Sequence, residues 1–182
     1  MSKVITFSRF FPKHHVRVGE PTYFVEKIYN SIYANDGDWS NSYGTTTDYV
    51  VDLNSSIRGA KHHTIRAGNR WKVGDKFSPR VWSGIPRRSK QITFAPDVEI
   101  VKIWGFEIRE DYYGRDIYID GKYFAGNRFS DFEYFGEHTN LHLLAKNDGL
   151  SVADFTSWFG YSERETKVFH GQILCWNEGI NY

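Results

Sequence analysis

The stretch Val98-Glu99-Ile100-Val101-Lys102-Ile103-Trp104-Gly105-Phe106-Glu107-Ile108 limits the fold most, because apolar and polar residues alternate along it for almost its whole length. Alternation with period two marks a half-buried strand of an antiparallel sheet. Shortly after it, Ile117-Tyr118-Ile119 and Lys122-Tyr123-Phe124 flank Asp120-Gly121, the pair that a tight type I′ hairpin turn favours. Further strand patterns lie at Val4–Ser8, Val73–Val81, Gln91–Thr93 and Lys167–Trp176. Three helices are expected. One follows Pro21, which suits a first helical turn, with Phe24, Ile28 and Ile32 recurring at i, i+4 and i+8. A second covers Leu141–Lys146 and stops near Asn147-Asp148-Gly149. A third is capped by Ser151 with Asp154 three residues on and buries Val152, Phe155 and Phe159. Strands and helices do not alternate as βαβ units, so the pattern predicts an α+β fold: a small mixed or antiparallel β-barrel with flanking helices.

The 182 residues fit one domain spanning the whole chain, and 18% aromatic residues suit a packed β-rich core. From 33 to 56 the sequence turns rich in Asn, Asp, Ser, Gly and Thr, which predicts a surface insertion carrying Trp39, Tyr43 and Tyr49. No apolar run approaches the roughly 18 residues of a membrane span, and the first residues do not resemble a signal peptide, so no membrane partner and a cytoplasmic location are expected. The single cysteine, Cys175, sits among apolar neighbours and reads as structural.

The net charge of +1 conceals two opposed blocks. Residues 58–90 hold ten Lys or Arg against Asp75 alone, whereas residues 97–165 hold seven bases and fourteen acids. A local basic surplus favours phosphate-bearing partners, unless the blocks neutralise each other in the fold. Within the basic block, Arg80, Trp82, Arg87, Arg88 and Lys90 group four cations around one indole in a loop bounded by Pro and Gly. Such a loop suits single-stranded nucleic acid, with cations along the phosphates and the indole stacked on a base; a solvated loop with a buried Trp82 fits the same residues. His14-His15 and His62-His63 suggest a metal only superficially, since adjacent side chains in extended chain point apart; no metal and no cofactor are expected.

The residues with most chemical potential are Lys61-His62-His63-Thr64-Ile65-Arg66 and, far along the chain, Asn147-Asp148-Gly149 followed by Leu150-Ser151-Val152-Ala153-Asp154-Phe155. Lys offers a charge or a base, Thr an oxygen nucleophile and Arg a fork for carboxylate or phosphate. Lys61 and Thr64 converge only if Lys61 lies in a turn and the strand begins near Thr64. Read singly, Lys61 is a surface charge, Thr64 a strand residue and Asp148 the turn partner of Gly149. Together and in this order the two segments resemble the ASCH family of PUA-like domains, over the whole chain apart from the insertion. The resemblance implies an RNA- or nucleoside-binding pocket lined by Lys61, Thr64, Arg66, Asp148 and Asn147. In the branch that deacylates acetylcytidine it implies a catalytic set of Lys61, Thr64 and Asp148, with Asp standing where those relatives have Glu. A protein-binding adaptor acting through the aromatic insertion is the third expectation.

Overall fold

The computed structural model describes residues 2–33, 59–111, 114–126, 135–159 and 167–182. The expected insertion therefore lies, beyond Tyr33, outside the described residues. Among the described residues nine strands and three helices form a mixed α+β architecture with two sheets. In the first sheet β1 (Lys3–Thr6) runs parallel to β3 (Lys76–Trp82), whose other edge pairs antiparallel with β4 (Gln91–Thr93) and β5 (Val98–Glu99). The second sheet is antiparallel and has the order β2 (His63–Ala67), β9 (Lys167–Cys175), β6 (Lys102–Asp111), β7 (Gly114–Ile119), β8 (Lys122–Gly126). Neither strand order returns to its first member among the described residues. The core fills the space between the sheets and the helices, with Ile28, Phe77, Ile100, Leu144, Phe155, Ile173 and Leu174 fully buried. Among the described residues no helix is long and apolar enough to cross a membrane.

The long alternating run is two strands, not one. It breaks at Ile100 and Val101, where Ile100 N donates to Asp75 O, just before β3 of the first sheet, and Val101 N donates to Cys175 O of the second. Alternation slips there, with Ile100 fully buried and Val101 half-buried, and resumes beyond the break because both sheets face the same core. The strand expected from Val73 begins only at Lys76, since Gly74 adopts a left-handed φ of 86° and closes a turn with Asp75 N bonded to Lys72 O. The hairpin at Asp120-Gly121 forms as expected, both residues having positive φ.

Helix α1 (Phe24–Tyr33) buries Phe24 and Ile28, but Pro21 stands outside it, bridged to Phe10. Tyr23 has a φ of 57°, which a right-handed helix does not admit, so the helix starts one residue later, where the Thr22 hydroxyl accepts from Phe24 N. Helix α2 (Phe135–Asn147) starts earlier than its apolar pattern suggests, because Gly136, Thr139 and Asn140 are weak helix formers that hide its first turns. Helix α3 (Val152–Trp158) is capped by Ser151, whose hydroxyl accepts from Asp154 N at 3.0 Å. Ser151→Ala is expected to cost about 1 kcal/mol in chemical denaturation, with an unchanged denaturant dependence.

Candidate functional site

Gly59 takes a φ of 103°, and Ala60 and Lys61 stay outside the sheet until β2 begins at His63. This is the local bend that Lys61 and Thr64 need, and both line one cavity of about 120 Å³ together with Arg66 and Asp148. Thr64 and Arg66 are two apart on β2 and so share a face. Asp148 arrives from the turn that ends α2. The walls are aromatic: Phe7 beyond β1, Phe24 on α1, and Trp158 and Phe159 at the end of α3.

Lys61 is 1% exposed, and its Nζ donates to Asp148 Oδ1 at 2.5 Å and to Asp148 O at 2.6 Å while lying 4.3 Å from the centre of the Phe24 ring. Burial lowers the Lys61 ammonium to about 8, against the pull of Asp148, and burial raises the Asp148 carboxyl against the pull of Lys61. Each group is thus driven toward its neutral form by the apolar surroundings and held back by the other. Arg66 joins the sheets: its Nη2 donates to Thr6 O at 3.0 Å and its guanidinium lies 5.2 Å from the Phe7 ring. Burial brings Arg66 down to about 10, yet its buried Nε finds no hydrogen-bond partner among the described residues. A buried charged donor without a partner is a strong invitation to a ligand acceptor.

Lys61 also has an architectural task. The last carbonyls of α2 are all engaged: Leu144 O by Asp148 N, Ala145 O by Leu150 N, Lys146 O by Gly149 N, Asn147 O by His62 N, Asp148 O by Lys61 Nζ, and Gly149 O by Lys27 Nζ. Two lysines therefore neutralise the negative end of the helix. Gly149, with a φ of 74°, makes the turn that brings Asp148 to Lys61.

Two expected site residues stand elsewhere. Asn147 does not line this cavity, because successive residues at a helix end rotate by about 100°; its Nδ2 donates to Tyr182 Oη at 3.0 Å, beside a second cavity of about 280 Å³ that it shares with Lys27, His62 and Lys146. Arg80 is half-buried and engaged by Ser78 Oγ and Gln91 Oε1 rather than offered to solvent. Trp82 is half-buried, and Arg87, Arg88 and Lys90 are exposed. The two histidines point apart as expected, His62 to Ser31 and Asn177, His63 inward.

His63 belongs to the site although its sequence position suggested only a metal ligand to be rejected. It is fully buried, its Nδ1 lies 3.5 Å from Asp148 Oδ1, and burial followed by the Lys61 charge holds its pKa well below the usual imidazole range. A run of Lys61, His63 and Thr64 gave no usable signal for this, since the bend before β2 breaks the alternation that would relate 61 to 63. The aromatic walls had no signal either, for they come from three separate elements.

Comparison of the chain with models of protein families, with curated proteins and with solved structures finds no match.

Proposed function

We propose that the chain binds a nucleoside, free or within RNA, through the cavity of Lys61, Thr64, Arg66 and Asp148. The observation that carries this reading is the meeting of two donors, a hydroxyl and a carboxylate between aromatic walls. Such a set matches the mixed donors and acceptors of a base edge, and the rings supply faces for stacking. At about 120 Å³ the cavity is smaller than the roughly 300 Å³ of sites that enclose a whole small molecule, so the ligand enters by one planar part. The ASCH-like order of the two segments supports the same reading. The two sheets, stitched by Arg66 and by the crossing at Ile100 and Val101, are compatible with a PUA-like fold without closing into a barrel among the described residues. Calorimetric titration with cytidine, N4-acetylcytidine and the other nucleosides is the direct test. One of them is expected to bind, and Arg66→Met to weaken it by about ten to a hundredfold, the worth of a hydrogen bond to a charged group. Absence of binding by every nucleoside at millimolar concentration overturns the reading.

Hydrolysis is the second reading, favoured by the Lys61 ammonium being lowered to about 8 beside Asp148. Thr64 Oγ1 would attack the acetyl carbonyl of N4-acetylcytidine while the neutral Lys61 amine takes the hydroxyl proton. Asp148 would pass that proton to the departing N4, and water would then release acetate from Thr64. Because only neutral Lys61 is a base, kcat/KM is expected to rise with pH, about tenfold per unit, and to level above about 8. A profile flat from pH 6 to 9 removes Lys61 from that role.

A further inference from the structure

We propose that the ligand of this cavity is one nucleotide of a single-stranded nucleic acid, whose phosphates run over two neighbouring loops, 9–21 and 83–90. The proposal rests on the nucleoside reading above and names the polymer that presents the nucleoside. Strands β1 and β3 are parallel and paired from Lys3 with Phe77 to Thr6 with Arg80, and Phe7 N donates to Arg80 O at 2.8 Å. Both strands therefore leave the sheet at the same end. That end is a wall of the cavity, since Thr6, Phe7 and Ser8 line it.

Each loop is held in shape without ligand. The first is closed by the bridge of Phe10 with Pro21 and by Phe11 N donating to Glu20 O at 2.9 Å. It is pinned to α3, where His15 Nε2 lies 3.0 Å from Asp154 O and Val16 N donates to Ser157 Oγ at 3.1 Å. Helix α3 in turn supplies the Trp158 wall of the cavity. The second loop is tied by Ser83 N to Lys90 O and by Ser89 Oγ to Ile85 O, both at 2.9 Å. Ordering cost on binding is low for such segments.

Their chemistry fits a single strand. Residues 8–23 and 79–90 together carry seven Lys or Arg and only one acid, Glu20. Arg17 is occupied by Glu20 and Asp154, and Arg80 by Ser78 and Gln91; of the other five, Arg9 is half-buried and Lys13, Arg87, Arg88 and Lys90 are exposed. Between the cations stand exposed apolar side chains: Phe10 is 50% exposed, with the Arg9 guanidinium 5.5 Å from the centre of its ring, and Ile85 is 65% exposed. A basic track with an exposed ring that a cation already flanks is how unpaired bases and their phosphates are held without a sequence code. A duplex offers neither a free base for the cavity nor an open face for Phe10.

The test compares, by fluorescence polarisation, an RNA oligomer of about eight nucleotides containing the best-binding nucleoside, the DNA of the same sequence and the duplex. Wild type is set beside Lys13→Glu/Arg88→Glu, with thermal melts to verify folding. At low salt the single strand is expected to bind at least tenfold more tightly than its nucleoside and than the duplex. In the variant that advantage is lost, the slope of log K against log salt falls by about 1.4, and nucleoside affinity stays within a factor of two. RNA and DNA arms then say which sugar is read. An oligomer no tighter than its nucleoside, an equally tight duplex, or a tight oligomer indifferent to the double substitution overturns the proposal and leaves nucleoside binding standing; failure of nucleoside and oligomer alike overturns both.

Discussion

Lys61→Met is expected to lower stability by about 3–5 kcal/mol, the usual cost of leaving one member of a buried ion pair without its partner. Two losses act together. The Asp148 carboxylate keeps its burial without a cation, and the Asp148 carbonyl at the end of α2 loses its donor. The double variant Lys61→Met/Asp148→Leu is expected to recover most of the loss, because an apolar pair of similar volume needs no compensation. Urea denaturation of the two variants decides the matter, and a single-variant loss under about 1 kcal/mol would show that Asp148 does not depend on Lys61.

The same pair makes a pH prediction with a definite sign. Lys61 titrates at about 8 in the folded chain against 10.5 ordinarily, so between these values the unfolded chain holds the proton that the folded chain has released. Its contribution to stability therefore rises with pH from about 8 to 10.5, and Lys61→Met is expected to lack that rise. Equal slopes in the two proteins would argue against the shift. Loss of the Lys61–Asp148 pair and loss of the fold are separable here, since the double variant restores stability without restoring either group.

Gly171→Ala is the second large effect. Gly171 lies in the middle of the second sheet, paired with Ala67 on β2 and Phe106 on β6. A Cβ there would overlap the Arg66 carbonyl and stand 2.9 Å from the Phe169 ring. A backbone carbonyl held in a ladder cannot rotate aside, so β2 must move from β9, at a cost of about 1–3 kcal/mol. Moving β2 carries Arg66 away from Thr6 O and Phe7, so nucleoside affinity is expected to fall about tenfold in protein that still folds. Gly105→Ala is the control. Its added carbon meets not a held carbonyl but the Asp120 carboxylate at 3.3 Å, which yields by loosening the bond that its Oδ1 accepts from Gly105 N, and a loss of about 1 kcal/mol with unchanged binding is expected. Equal losses at both glycines would mean that side-chain crowding, not the Arg66 backbone, limits position 171.

What could be read from the chain beforehand follows from the range of each physical cause. The turn at Asp120-Gly121 and the Ser151 cap are legible because a left-handed φ pair and a side-chain-to-backbone bond are settled within four residues. The pairing of Lys61 with Asp148 was accessible only through its likeness to the ASCH segments, since 87 positions separate the two and no periodicity spans that distance. Asn147 misled for a related reason: proximity to Asp148 in sequence says nothing about direction at a helix end, and its amide turns to Tyr182.

The sequence by itself determined the β-rich α+β character, the faces that each strand buries, the hairpin, the cap and the basic block, all of them consequences of short-range sterics and periodicity. Tertiary structure alone decided which sheet each strand joins. Alternation on either side of the apolar pair Ile100-Val101 marks an inward face, and both sheets have one, so the pattern does not say which sheet receives each strand. It also decided that His63 stands against Asp148 and that Phe7, Phe24 and Trp158 wall the cavity, because burial and its effects on Lys61 and Arg66 arise from what other elements bring near.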